Sequence, residues 1–192
     1  MMHPYRRFKV IRKVRENDSV VSLYLKHVHD SPLDEFKPGQ HLMFKFQIRG
    51  RDIPEFRYYS FSDKYRKEYY RVSIKKELPP IQSSTLPPGL CSSYICDDIR
   101  EGMILEAKGP TGDFYIVPEE NSPVVLIAGG IGITPLLCMI KSIAAVNPDR
   151  EVYFVYGVNE KRDHSFQAEL NELRKNHPNF SITTFYAKTG NG

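Results

Sequence analysis

Cysteine is scarce in this 192-residue chain. The three present, at positions 91, 96 and 138, fit neither a disulfide framework nor the CxxC pairs of zinc and thioredoxin-like sites, so a reducing compartment is expected. Long apolar runs are missing as well. A bilayer span needs about 18 consecutive apolar residues, whereas the longest run here, Val124-Val125-Leu126-Ile127-Ala128, ends in glycines. The start, Met1-Met2-His3-Pro4-Tyr5-Arg6-Arg7, is basic but lacks the apolar stretch of a secretory signal. The chain is therefore expected to be soluble and cytoplasmic, with no membrane span. Charge of one sign is also short. Lys+Arg number 27 against 23 Asp+Glu, for a net +4. The pairs Arg6-Arg7, Lys75-Lys76 and Lys161-Arg162 are scattered, which speaks for solvation or docking of an acidic electron-transfer partner and against nucleic acid. No metal site is expected: His27 and His29 could share one face of a strand, but no third ligand has a defined spacing. Asp63, with Lys64 and Arg66 nearby, reads as a loop.

What is present is ordinary globular material, 41% hydrophobic and 26% charged, with 14 Pro and 12 Gly that suggest many short connected elements in two small lobes. From Phe8 to about Val117 the pattern is one of short strands. Residues 8–11, 20–25, 41–48 and 69–75 alternate or carry β-branched and aromatic side chains, and Pro38-Gly39, Pro79-Pro80 and Pro87-Pro88-Gly89 punctuate them. Such spacing predicts an antiparallel β-barrel. Residues 92–99 have helical spacing instead. After Asn121-Ser122-Pro123 the character changes to a buried strand, the glycines Gly129-Gly130-Ile131-Gly132 and a helix. A second buried strand follows over 151–156, then an amphipathic helix over 166–175 and a strand over 180–187. The order βαβαβ predicts a parallel sheet with right-handed crossovers. The expected division is 1–120 and 121–192.

Three constellations carry chemistry. Arg57-Tyr58-Tyr59-Ser60 could bind a flat phosphorylated ring, with Arg forking a phosphate, Tyr stacking and Ser donating; it could equally be a surface arginine beside barrel tyrosines. Gly89-Leu90-Cys91-Ser92 runs into the short helix, whose free N–H groups suit a pyrophosphate. The plain alternative is an N-cap made by Ser92, with Cys91 as a small buried hydrophobe. Gly129-Gly130-Ile131-Gly132-Ile133-Thr134-Pro135 lies between strand and helix, where glycines let a backbone approach phosphates and Pro135 in the first turn removes an unneeded N–H. It is neither a full GxGxxG nor a Walker loop, which argues against an ATPase.

With Pro38-Gly39-Gln40, Ser73-Ile74-Lys75 and Gly109-Pro110-Thr111-Gly112-Asp113-Phe114, these motifs, in this order, resemble the ferredoxin-NADP reductase-like superfamily, in which a flavin-binding barrel precedes a nicotinamide-binding α/β lobe. The flavour is similar to the reductase modules of flavohaemoglobins and of reductases fused to plant-type 2Fe-2S domains. The resemblance implies that Tyr59 stacks on the isoalloxazine with Tyr58 beside it, that Ser60, the catalytic position, bonds near flavin N5, and that Arg57 neutralises the flavin phosphate. It further implies that Ser73, Ile74 and Lys75 line the flavin's outer edge and that Gly89 to Ser92, through Leu90 and Cys91, hold its pyrophosphate. Gly129, Gly130, Gly132, Thr134 and Pro135 receive NADH or NADPH, with Thr134 near the nicotinamide. No side-chain acid or base is needed, because the cofactors carry the chemistry.

The implied activity is that of an FAD-dependent NAD(P)H oxidoreductase passing electrons to an iron-sulfur, haem or other acceptor. The alternatives are a flavin reductase releasing reduced flavin and a non-catalytic flavin-binding regulatory module. A pyrophosphate site favours FAD over FMN. Glu160, after the second strand of the nicotinamide lobe, favours NADH, against Lys161 and Arg162. The family's nicotinamide lobe continues to a Cys-Gly-Pro-type motif, whereas this chain stops at Gly192, so that lobe is expected to be truncated.

Overall fold

The computed structural model describes residues 4–29, 31–79 and 86–188; part of the Pro79-Pro80 turn and all of 189–192 lie outside them. Strand alternation builds the first lobe. In β1 (Arg6–Arg15) and β2 (Val20–His27), Phe8, Val10, Leu23 and Leu25 point into one core. They are joined there by Leu42 and Phe44 of β3 (His41–Phe46) and by Tyr70, Val72 and Ile74 of β5 (Tyr70–Lys75). With β4 (Glu55–Ser60) and β6 (Ile104–Thr111) the strands pair antiparallel in the order β4-β3-β6-β1-β2-β5. Phe61, just after β4, bridges to Val72 of β5, which brings the two sheet edges together and closes the barrel.

Two local expectations are corrected here. The helix expected over 92–99 is a short α1 (Leu90–Ser93) that widens into a π-helical turn over Tyr94–Asp98. Lys13 of β1 explains the ending: its Nζ donates to the carbonyls of Ile95, Cys96 and Ile99 at 3.0, 2.7 and 2.8 Å, gathering carbonyls that the helix end leaves free. His27 and His29 do not share a strand face, because β2 ends at His27, whose ring stacks on Phe8 at 4.7 Å.

The second lobe runs β7 (Val124–Gly129), α2 (Ile133–Val146), β8 (Val152–Val158), α3 (Gln167–Asn176) and β9 (Phe180–Tyr186). Its three strands are parallel in the order β7-β8-β9, as βαβαβ predicts. The strands are not buried on both faces as their apolar runs suggest. Leu126, Ala128, Phe154, Tyr156 and Ile182 pack under α2 and α3, while Val125, Ile127 and Phe185 on the other face are 60, 72 and 60% exposed. Among the described residues both helices cover the same side.

The lobes interlock. Along α2, Thr134, Cys138 and Lys141 fall on one stripe by helical geometry. Cys138 packs in the barrel core, and Val20 of the barrel packs in the core of the second lobe. Burial pushes the Cys138 thiol up to about 12, so it packs as a neutral side chain. Beside it runs a chain of charges. Arg71 of β5, 3% exposed, donates through Nη1 and Nη2 to the two carboxylate oxygens of Glu169 on α3 at 2.9 and 2.8 Å. Lys141 Nζ meets Glu169 at 2.6 Å and Asp63 at 2.5 Å. Asp63 is therefore a buried junction residue; its Oδ2 also accepts from Arg66 and Tyr69, each at 3.2 Å.

Burial alone would raise the Asp63 carboxyl, but Lys141, Arg66 and Arg71 hold it below its ordinary value. Glu169 is held down in the same way, burial being outweighed by Arg71 and Lys141. A carboxylate depressed in the folded state stabilises above its unfolded pKa, and that contribution is lost as pH falls through the folded value. Stability is thus expected to decline as pH drops below 4.5 and then 3.8, the ordinary values of Glu169 and Asp63. Glu169→Ala, which leaves Arg71 buried without its main partner, is expected to cost roughly 3 kcal/mol at neutral pH and to flatten the acid limb. Thermal unfolding from about pH 7 to about pH 3 measures both, and an undiminished acid limb in the variant would refute the assignment.

Candidate functional site

The barrel's β4 and β5, the α1 loop and the start of α2 converge on one cleft of 470 Å³. Of the residues singled out in the sequence, all except Gly129 and Gly130 line it: Arg57 to Ser60, Ser73 to Lys75, Gly89 to Ser92, Gly132, Thr134 and Pro135. Glu77 and Ile131 complete the wall; Ile131 belongs to the glycine-loop motif, and Glu77 is absent from the sequence motifs. Tyr59 sits half-buried against the barrel core, its ring 5.8 Å from Phe44. Burial raises its phenol above the ordinary value, so it presents a neutral aromatic face. Tyr58, on the opposite side of the strand, is 62% exposed, with His41 edge-on at 5.1 Å.

Arg57 pairs with Glu55 at 3.2 Å and donates to the Phe56 carbonyl at 2.7 Å. An exposed pair of this kind contributes little, so the guanidinium is available to a phosphate. It is also near α1: burial pushes the Cys91 thiol up, and Arg57 opposes that rise. Cys91 is 3% exposed and belongs to the barrel core. The N-cap of α1 is Gly89, not Ser92. Ser92 lies within the first turn, donating to the Gly89 carbonyl at 3.1 Å and accepting from Glu77 N–H at 3.0 Å. A Cβ at Gly89 would lie 2.6 Å from Ser92 Oγ and 2.9 Å from Glu77 Cβ, so packing demands this glycine. The first-turn N–H groups of α1 have no acceptor within the helix, which leaves them free for an anion beside Arg57.

Ser73 is fixed from behind. Its Oγ lies 2.6 Å from Ser22 Oγ and 2.7 Å from Ser62 Oγ, all three buried. Thr134, also buried, donates to the Ile131 carbonyl at 3.2 Å, holding the glycine loop against α2.

A second groove of 510 Å³ lies at the carboxyl ends of the parallel strands, where open α/β sheets bind nucleotides. Gly129 and Gly130 line it with Gly157, Asn159, Asp163 and Tyr186. The glycines are not there for packing. A Cβ on Gly129, Gly130 or Gly132 would meet nothing within 4 Å, so the space over the loop is left open for something other than this chain. Gly130 additionally has φ +50°. The groove and the cleft share two residues, Lys75 and Ile131, and so adjoin. Glu160 does not line the groove; its carboxylate is held by Arg162 at 2.9 Å and Lys188 at 3.5 Å.

Both regions fit the groups expected of them: a neutral stacking ring, a cation and free helix N–H groups in the cleft, and uncovered glycines in the groove. Comparison with known proteins agrees. Residues 7–116 match the family described as "Oxidoreductase FAD-binding domain" and residues 126–192 match "Oxidoreductase NAD-binding domain". A flavohemoprotein of Rhodopirellula baltica is 39% identical over 94% of this chain and 44% of its own length. One of Bacillus cereus is 33% identical over 95% and 44%. The chain thus spans less than half the length of the curated relatives it matches. The FAD/NAD-binding domain of nitric oxide dioxygenase from Vibrio cholerae superposes with a TM-score of 0.87 at 28% identity, covering 97% of this chain and 76% of that one. The cytochrome b5 reductase domain of Ulva prolifera nitrate reductase shares the fold, with a TM-score of 0.84 at 21% identity over 98% and 76%. Barrel, cleft, glycine loop and relatives converge: the chain belongs to the oxidoreductase FAD-binding domain family, coupled to an NAD-binding domain, within the ferredoxin-NADP reductase-like superfamily.

Proposed function

We propose that the chain is an NAD(P)H-dependent flavoprotein reductase module that takes hydride at a flavin and passes electrons to a haem or iron-sulfur acceptor. The observation that carries this reading is the shared wall of Lys75 and Ile131, which joins the nucleotide groove to the flavin cleft. FAD and the nicotinamide nucleotide supply the redox chemistry when bound. The chain's own residues hold and orient. Tyr59 offers the stacking face, Ser60 a hydroxyl at the end of β4, Arg57 and the α1 N–H groups an anion seat, and Gly129 to Pro135 an unobstructed landing for the nucleotide. Thr134 and Pro135 bring the start of α2 to the flavin side.

The flavohemoprotein relatives support a haem acceptor. The three free cysteines suit a cytoplasmic setting. We divide the lobes near residue 120, between Thr111, where β6 ends, and Val124, where β7 begins.

Tyr59→Ala is expected to weaken flavin binding by about 1 to 3 kcal/mol through the lost stacking face. Reconstitution with FAD and FMN and fluorescence titration measure it. FAD is expected to bind more tightly, and protein that stays colourless with both flavins would remove the flavin from the reading.

Gly129→Val tests the nucleotide groove without disturbing the fold. Gly129 has φ −126° and ψ 126°, extended backbone that suits a β-branched residue, and its Cβ meets nothing. Wild-type melting and wild-type flavin affinity are expected, with NADH affinity reduced about tenfold or more, or about 1.4 kcal/mol. Unchanged NADH affinity would move the nucleotide elsewhere. NADH is expected over NADPH because Asp163 and Asn159, and no arginine, line the described groove. A kcat/KM favouring NADPH would reverse this.

A further inference from the structure

None of the interlobe charges lines the cleft or the groove, yet they sit one step behind both. On β5, Arg71, Ser73 and Lys75 alternate onto one face, and Ser73 and Lys75 are cleft wall. Arg71 Nε also reaches the Ser22 hydroxyl, at 3.4 Å, behind Ser73. On α2, Lys141 lies seven residues, or two turns and about 10 Å, beyond Thr134 on the same stripe. Thr134 is cleft wall on the opposite side. Glu169 of α3 contacts Arg71 and Lys141 together, and Asp63, from the segment that follows β4, contacts Lys141.

We propose that the Asp63–Lys141–Glu169–Arg71 chain is a positioning device for the transfer step, setting the separation between the strand that walls the flavin cleft and the helix that brings up the nicotinamide end. This deepens the functional reading above and rests on it. The physical ground is leverage. The stacking ring and anion seat of the cleft belong to the barrel and the glycine loop of the groove belongs to the second lobe, so most of the affinity for each cofactor comes from one lobe and does not require the clamp. The distance between reacting atoms spans both lobes, and a misplacement near 1 Å costs about a hundredfold in rate. A bidentate arginine–carboxylate pair fixes angle as well as distance. The Arg71 guanidinium also lies over the Phe166 ring at 4.9 Å, which adds a second constraint from the second lobe. The four residues are positioning residues, not catalytic ones.

The test uses the whole chain loaded with FAD, as wild type, Glu169→Gln, Lys141→Met and the conservative Lys141→Arg. Anaerobic stopped-flow with NADH gives the flavin reduction rate at saturation and the apparent nucleotide dissociation constant. A pulsed electron spin resonance measurement reads the interlobe distance between spin labels at Arg49→Cys and Lys175→Cys, both exposed positions, in a Cys96→Ser background. Glu169→Gln and Lys141→Met are expected to broaden or shift a single narrow distance peak and to slow saturated reduction about tenfold or more. Affinity for NADH and FAD should stay within about twofold, and Lys141→Arg should restore both the peak and the rate. A destabilised variant that keeps the narrow peak and the wild-type saturated rate overturns the proposal, since a merely structural role predicts that outcome. If wild-type chain binds FAD but is not reduced by NADH, the functional reading fails for this chain. The distance peak then decides alone: a peak unchanged by Glu169→Gln overturns the positioning role as well.

Discussion

Arg71 is a full positive charge on the outer face of a β-barrel strand, 3% exposed, and its burial is the constraint around which the two lobes are arranged. An uncompensated buried guanidinium would cost several kcal/mol, so whatever covers this face must bring carboxylates. The second lobe brings Glu169 and the barrel brings Glu16, at 3.4 Å. Burial works against the charge, but Glu169 more than offsets it, and Arg71 is held more firmly protonated than an ordinary arginine. Glu169 in turn needs more than one cation at this degree of burial, and Lys141 supplies it. Lys141 then leaves a charge to satisfy Asp63. Each partner's requirement is met by the next residue along the seam, which crosses from barrel to second lobe at Arg71–Glu169 and back again at Lys141–Asp63. A purely apolar seam could hold the lobes as strongly, but it would allow sliding. Directional bonds at 2.5 to 2.9 Å do not.

The same reasoning explains why the barrel tolerates serines where a sandwich or barrel exterior would meet water. Ser22, Ser62 and Ser73 are all buried, on the side the second lobe covers, and each hydroxyl has a neighbour to bond. Small side chains there keep the β5 backbone close to the cleft. The hydroxyls satisfy one another, so no polar atom is stranded when the lobes close over them. Asn17 does comparable work at the other end of the seam, where its Oδ1 accepts from Ser19 and Val20 N–H groups and its Nδ2 donates to Ser165 at 2.8 Å.

Much of this was legible in the sequence. Period-two alternation located β1, β2, β3 and β5, and the strand-glycine-helix pattern located β7 and α2, because those signals are local. β6 was not delimited: its inward residues include Leu105 and Ala107, while Glu106 and Lys108 interleave them, a pattern too polar to stand out. Burial on both faces of β7 and β8 was expected from continuous apolar runs, but a run cannot say how many helices cover a sheet. The cleft residues were found because each motif has short-range chemistry. Glu77 was missed because nothing in its own neighbours marks it, whereas Ile131 lies inside the glycine-loop motif. Residues such as Asn159, Asp163 and Tyr186 could have been found by their place at the carboxyl ends of parallel strands. The clamp was invisible, since Arg71 and Glu169 are 98 positions apart and Asp63 beside two basic residues looks like any solvated loop.

The site itself is built as much from what is withheld as from what is placed. Burial keeps both the Cys91 thiol and the Tyr59 phenol neutral in the cleft wall. That is the composition expected where the transferred hydride needs orientation but no proton relay. Three loop glycines whose added Cβ atoms would meet only empty space cost backbone entropy on folding and return no packing within this chain. Gly39 and Gly89 are different, because an added Cβ there would lie within 3 Å of neighbouring atoms, so the fold itself demands them. Comparing the two kinds separates glycine that packing requires from glycine that packing does not. Among the described residues, Gly129 and Gly132 alone combine an ordinary φ with empty space at the Cβ position, whereas Gly130, like Gly50 and Gly102, also has a positive φ; the void over that loop and the neutral ring of Tyr59 together define where two flat cofactors can meet.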